Sequence, residues 1–422
     1  MADHVDCVCR SVAIQPQRRN GKFDLLRCWM EYHASGDMRV QAIMVAFCFG
    51  ALLEGTAGFG APVAMTAFLL VALGFKASRA VTVSLIANTT PVAFGALGTP
   101  IVALAAVTGL DQLKLSAMVG RQLPFMSLLL PAYLVIFVSG RKGLKDTWPA
   151  ALVAGGTFAL VQFAVANYWG PYAVDVLASL TSIVALTVLL RFWRPREIVR
   201  TAAGPQDLAP SRQLSFADSV GAWTPWMLLA LMMIVWSYFK IFTRLQISVS
   251  VPWLHNAVYI SLYRKPYAAV YNFQPLAAGT AALTATVIAA VLLRASARTF
   301  ISSGLTTLRQ LLLPGLTVMI IVALSYTYNY SGMAYTLGAA LASLGKWFPL
   351  ASGFLGWVAC FLSGSDTSSN LLFGNLQVAA GHQLGISPVL LAGTNSSGAV
   401  TGKMIFAAEY CSRRHYSGLS RK

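Results

Sequence analysis

Acidic side chains are scarce in this chain. Its 422 residues hold 14 Asp and Glu against 31 Lys and Arg, a formal net charge of +17. Charge of either sign is thin, at 11% of residues beside 57% hydrophobic, whereas a soluble domain carries about 25% charged residues. That balance excludes an ordinary soluble globule. Metal-ligating side chains are also few, with five histidines and six cysteines. Cys7-Val8-Cys9 is too tight for a zinc half-site, and Cys28, Cys48, Cys360 and Cys411 supply no second half. Neither a metal nor a cofactor is expected. Residues 1–36 contain no apolar h-region, so no cleavable signal peptide is visible there; they read as a polar leader or remnant.

Long apolar runs are what the chain has instead. Segments 124–140, 149–170, 173–190, 223–239, 275–293 and 314–328 each approach the ~20 residues that cross a bilayer as helix. With the broken segments described below they make roughly ten membrane elements. The expected fold class is all-α, a polytopic helical membrane protein, with residues 37–405 forming one membrane domain. Basic residues gather in short loops: Arg141, Lys142 and Lys145, then Arg191, Arg194, Arg196 and Arg200. Two spans separate these loops, so they share a face, which the positive-inside rule makes cytoplasmic. Counting spans adds Arg294, Arg298 and Arg309 to that face. The positive charge therefore reads as topology, with anionic lipid as a secondary partner, and not as a nucleic-acid footprint. Segment 296–313 reads as an amphipathic interfacial helix, and 192–221 and 243–274 as polar loops.

Two stretches are broken. The first apolar element, about Val40 to Leu53, is short for a crossing and meets "EGTAGFGAP", whose glycines and Pro62 oppose a continuous helix. The next long run is interrupted by Asn88-Thr89-Thr90-Pro91. The end of the chain has the same order of features. Gly55 aligns with Gly364, Gly74 with Gly385, Asn88 with Asn395 and Gly95 with Gly402. Two inverted repeats follow as an expectation, with halves around 40–140 and 314–405. In hydrocarbon an unpaired peptide group costs several kcal/mol, so a broken helix belongs in a protein-lined or watery cavity. Paired breaks in corresponding halves are the sequence pointer to a transporter's midplane site. Ala61 cannot cap the helix that Pro62 opens, which leaves N–H groups for an anion. Close helix packing is the alternative reading of the same glycines.

Only Glu54, Asp175 and Asp366 lie well inside apolar segments. Intramembrane acids are functional by default, often as proton carriers. Glu54 ends a half-helix and cannot serve as an N-cap, so a functional role is expected. Asp366 in "SGSDTSSN" either carries a proton or caps a helix. Asp175, near a span end, is expected to reach the interface. Asn88, Thr89 and Thr90 correspond to Asn395, Ser396 and Ser397; these bind substrate oxygens or satisfy the broken backbone. Lys403 pairs with an anionic substrate or with Asp366, or else anchors the interface.

At these residues the sequence resembles a known family. "FCFGALLEGTAGFGAPVAMTA", "LIANTTPVAFGALGTPI", "PYAAVY" and "FLSGSDTSSNLLFGNLQ…GISPVLLAGTNSSGAVTGKMI" look like the lactate permease family, proton-coupled L-lactate and glycolate carriers of bacterial inner membranes. The likeness runs from about Gly21 to Ile405. It implies symport of a small 2-hydroxy monocarboxylate with a proton, and no enzymatic activity. That suits the residue-level reading, in which Glu54 and Asp366 are expected to couple protons, and Gly58, Gly60, Asn88, Thr89, Thr90, Ser365, Thr367, Ser368, Asn395, Ser396, Ser397 and Lys403 to contact substrate. Family members have spans before the region matching Phe47, and they continue after "TGKMI" with Ser-Pro-Gln-Ser-Ile. Here the chain reads "FAAEYCSRRHYSGLSRK". One inserted U before UCG-CCG-CAG-AGU-AUU-GC yields Phe-Ala-Ala-Glu-Tyr-Cys, so residues 406–422 are expected to be a frameshifted tail. Resequencing the junction after the Ile405 codon and finding no frame for the continuation would remove that expectation.

Three other readings compete. An intramembrane aspartyl protease needs two paired acids in protease-type motifs, which "SGSDTSS" matches poorly. A channel equilibrates substrate where a symporter concentrates it. An inactive fragment would insert without transporting.

Overall fold

The computed structural model describes residues 29–404, apart from 31–32, 34–35, 59–60, 201–214, 240, 262–263 and 277. The polar leader before residue 29 and the tail after Ile405 therefore lie outside the described residues. The fold is helical, as expected. Two small antiparallel pairs supply its strands: β1 (Ile247–Ser250) with β4 (Val270–Phe273), and β2 (Tyr259–Ile260) with β3 (Lys265–Pro266). Both lie in the segment read from sequence as a polar loop.

Helix α1 (Met38–Thr56) forms the centre, and its apolar window is entirely buried. It runs longer than the sequence pattern indicated, because Glu54, Gly55 and Thr56 continue the helix. Its middle, Ala42–Phe49, winds as π-helix, a feature often found beside functional sites. Asp37 caps its start, accepting from the Arg39 backbone N–H at 2.8 Å. The buried Arg39 guanidinium pairs with Asp37 at 2.7 Å and Asp146 at 3.3 Å, and donates to the Glu197 carbonyl. These bonds tie the start of α1 to Gly143 and Asp146 and to the chain at Glu197 and Val199.

Helices α2 (Ala61–Ala72), α3 (Ala77–Ala87) and α4 (Gly95–Thr108) follow, and α5 (Gln112–Gln122) leads into α6 (Pro124–Tyr168). The run from α3 to the end of α4 bends by 67° at Asn88–Pro91. Helix α6 is a hairpin. Gly140, at φ 73°, reverses the chain, Ser127 on one arm donates to Gln162 on the other at 2.6 Å, and the arms match the two spans read from sequence. After α7 (Val174–Phe192) and α8 (Phe216–Tyr238) come α9 (Ala278–Leu292), α10 (Ala297–Tyr330) and α11 (Met333–Leu341). Helix α10 corrects an expectation. Residues 296–313 are not a separate interfacial helix but the first half of one 34-residue rod, about 51 Å long at 1.5 Å per residue.

The last helices are α12 (Phe348–Ser363), α13 (Asp366–Leu384) and α14 (Pro388–Lys403). Helices α12 and α14 meet backbone to backbone. A Cβ on Gly356 would overlap the Asn395 carbonyl, and one on Gly402 the Trp357 carbonyl, the small-residue packing that membrane helices use. Helix α14 also corrects an expectation, since it runs unbroken through Asn395, Ser396 and Ser397. Only the first half breaks at the Asn-Thr/Ser positions.

Among the described residues four helices are long and apolar enough to cross a membrane, or five if the bent α3–α4 pair is one span. That is fewer than the roughly ten elements read from run length. The reason is local: α2, α3 and α9 are short, and α6 holds two arms in one helix. Exposed apolar side chains such as Leu129, Leu160, Val184 and Leu324 cover the outside, as a lipid-facing surface requires.

Candidate functional site

The end of α1, the start of α4, the start of α7, the start of α13 and the end of α14 bring four charged groups into the interior. Glu54 is 3% exposed, Asp175 1%, Asp366 2% and Lys403 8%. Lys403 Nζ donates to Glu54 Oε1 at 3.3 Å, an ion pair between residues 349 positions apart. Lys403 is thus buried and paired with Glu54. Its charge still acts on Asp366. The other Glu54 oxygen has no hydrogen-bond partner among the described residues.

The breaks of the first half make this geometry possible. Gly58 has φ 56° and its Cβ position lies 2.8 Å from Ala96 Cβ, so the chain after α1 rests directly on the non-helical first turn of α4. Ala96 and Leu97 themselves occupy left-handed backbone at φ 45° and 58°, a conformation that costs non-glycine residues roughly 1–3 kcal/mol each and concentrates at functional sites. Gly95 has no side chain because Glu54 occupies its place: a Cβ there would sit 2.7 Å from Glu54 Oε1.

A second cluster adjoins the first. Ser365 caps α13, accepting from Ser368 N–H at 3.2 Å. Asp366 is therefore not the cap; its Oδ2 accepts from Ser396 Oγ at 2.9 Å. Asn370 Nδ2 donates to Ser396 Oγ at 3.1 Å and to the Pro100 carbonyl of α4 at 3.2 Å. Asn395 Nδ2 donates to Asn370 Oδ1 at 3.1 Å and Gln377 Nε2 to Asn395 Oδ1 at 3.2 Å. The chain Asp366–Ser396–Asn370–Asn395–Gln377 is thus one polar ladder. Ser396 and Lys403 lie on one face of α14, two turns or about 10.5 Å apart, which joins the ladder to the ion pair. Asn375 Nδ2 adds a bond to the Val107 carbonyl at 2.8 Å, so α4 and α13 are stapled twice.

The other sequence-derived residues fall unevenly. Asn88 is buried with neither amide atom hydrogen-bonded, and Thr90 Oγ1 and Ser397 Oγ are likewise without protein partners. Thr89 Oγ1 returns to the Ile86 carbonyl at 2.8 Å, satisfying the break. Thr367 is half-buried beside the α13 start. Gly60 lies outside the described residues. Sequence reasoning missed Asn370, Asn375 and Gln377, although three amides in an apolar helix are a visible signal. It also misplaced Asp175, which is buried against Gly55 and does not reach an interface. Among the described residues no group of three His, Cys, Asp or Glu could hold a metal.

Broken helices, an interior ion pair and buried polar atoms left without protein partners define a multi-pass helical membrane transporter. Comparison with known proteins gives the particular family. The family model described as L-lactate permease matches residues 13–410, and the chain belongs to that family. It is 43% identical to glycolate permease GlcA of Escherichia coli strain K12 and 42% identical to an L-lactate permease of Salmonella typhimurium. An L-lactate permease of Bacillus subtilis is 41% identical. Each match covers 92% of this chain and 73–74% of the relative. No solved structure matches. As a permease the protein is a carrier and not an enzyme.

Proposed function

We propose that this chain carries L-lactate, glycolate and related 2-hydroxy monocarboxylates together with protons across the bacterial inner membrane. The names of its relatives support the substrate class, and the Glu54–Lys403 pair carries the coupling. With Glu54 ionised and no substrate, the pair is neutral. With Glu54 protonated, Lys403 is released to a substrate carboxylate, and the site is neutral again. Either change alone leaves a net charge in a poorly hydrated interior, which costs several kcal/mol. Only the empty site and the doubly loaded site then cross readily. That is symport.

Asp366 serves as a second coupling acid through Ser396 and the charge of Lys403. The substrate hydroxyl and carboxylate take hydrogen bonds from Asn88, Thr90, Ser397 and the ladder around Asn395 and Ser396. The Gly58 and Gly60 loop and the Ser365–Ser368 start of α13 supply backbone N–H groups. Residues 40–140 and 314–405 act as repeat halves that meet where α4 packs on α13.

The test is uptake of labelled L-lactate into proteoliposomes under an imposed pH gradient, with inserted protein quantified. Uphill uptake is expected. Mere equilibration would indicate a channel, and no uptake despite good insertion would refute the reading.

A further inference from the structure

Asp175 is an acid that the ion pair does not use. It sits in the first turn of α7, where a carboxylate ordinarily accepts backbone N–H bonds, yet neither of its oxygens has a hydrogen-bond partner. A Cβ on Gly55 would lie 2.7 Å from Asp175 Cβ, so α7 is pressed against the residue that follows Glu54. The Glu54 charge acts directly on Asp175, and Lys403 stands on Glu54. Helix α4 and the arms of α6 at 124–140 and 147–168 contain no acidic or basic residue. Cys48 from α1, hydrogen-bonded to Ser182, and Tyr172 before α7 are the remaining titratable neighbours.

Charge counting points the same way. Three acids and one cation share this interior, so ionising every group would leave two uncompensated negative charges. A buried ionised carboxylate without donors is so costly that such a group neutralises instead. Asp366 has a hydroxyl donor and Glu54 has an ammonium. Asp175 has neither.

We infer that Asp175 is a resident proton donor and acceptor for Glu54, a relay acid that loads the Glu54–Lys403 pair. In the loading step a bridging water carries the proton, the Asp175 O–H bond breaking as a Glu54 O–H bond forms; the Lys403 ammonium passes from Glu54 to the substrate carboxylate, and hydronium from the acidic side reprotonates Asp175, leaving water. This role rests on the symport reading above.

The decisive variant is Asp175→Asn, which keeps the shape of the protonated acid but cannot pass a proton. In proteoliposomes it should bring the accumulation ratio under a pH gradient to near one, with a much smaller loss of lactate exchange at equal pH. Asp175→Glu should recover part of the accumulation. Wild-type accumulation by Asp175→Asn would overturn the relay, as would equal loss of exchange and accumulation in both variants, which marks a packing role. Infrared difference spectra of the purified protein at neutral pH test the proton itself. A protonated-carboxyl C=O band that responds to L-lactate should vanish in Asp175→Asn and persist in Asp366→Asn; no band lost in Asp175→Asn would overturn the relay. Should the unaltered chain fail to accumulate lactate at all, the symport reading falls, and the infrared band still decides whether Asp175 holds a proton.

Discussion

Replacing Lys403 with Met strands the Glu54 carboxylate in the interior. At 3.3 Å and an effective dielectric of about 20, the attraction between the two charges is about 5 kcal/mol. Desolvation of both groups offsets much of that gain, so the pair contributes little net stability when intact. Removing one partner is different, because the remaining charge stays buried and unpaired. Lys403→Met and Glu54→Gln should each cost about 3–5 kcal/mol. The double variant Glu54→Gln/Lys403→Met should cost less than the sum of the singles by about 2 kcal/mol or more. Reversible unfolding in mixed micelles measures all four corners of this cycle. Additive losses would show that the two side chains do not pair and would remove the basis for neutral-site coupling. Both singles should also lose pH-driven accumulation, whatever their stability.

Gly95→Ala should destabilise the protein by roughly 1–3 kcal/mol through overpacking, since its new methyl would meet Glu54 Oε1 at 2.7 Å; thermal unfolding in detergent checks it. Asn370→Ala should cost about 1–3 kcal/mol by removing its bonds to the Pro100 carbonyl, Ser396 and Asn395 from the buried ladder, read by the same melts. Asn88→Ala should behave oppositely. Its amide makes no protein bond, so stability should hold while the half-saturating lactate concentration rises about tenfold, the worth of one hydrogen bond to a charged ligand. An unfolded Asn88→Ala protein would assign that side chain to structure.

Much of the molecule was legible without coordinates, because membrane insertion is decided locally. An apolar run long enough to cross and free of charge must be helical, and loop basicity sets its orientation. Glu54 stood out for the same reason, as the one acid in an uncharged stretch. The hairpin of α6 was readable as two runs flanking Gly140. Other readings failed where sequence neighbours were a poor guide to spatial ones. Asp175 is two residues into its helix, which suggested an interface; the approach of α1 at Gly55 buries it. Asp366 was open between cap and proton carrier; Ser365 takes the cap and leaves the carboxylate for Ser396. Asn395 to Ser397 matched the broken Asn88 segment in composition, yet the close packing of α12 on α14 holds them in one continuous helix.

The sequence by itself determined the class of protein, its helical character and which buried acids required an explanation, since hydropathy and backbone satisfaction act over a single turn or span. Tertiary structure alone decided who answers whom. The Glu54–Lys403 pair, the amide ladder from Asp366 to Gln377 and the isolation of Asp175 join residues tens to hundreds of positions apart. Coulomb and hydrogen-bond energies depend on distances of a few ångströms, and only the packing of α1, α4, α7, α13 and α14 sets those distances.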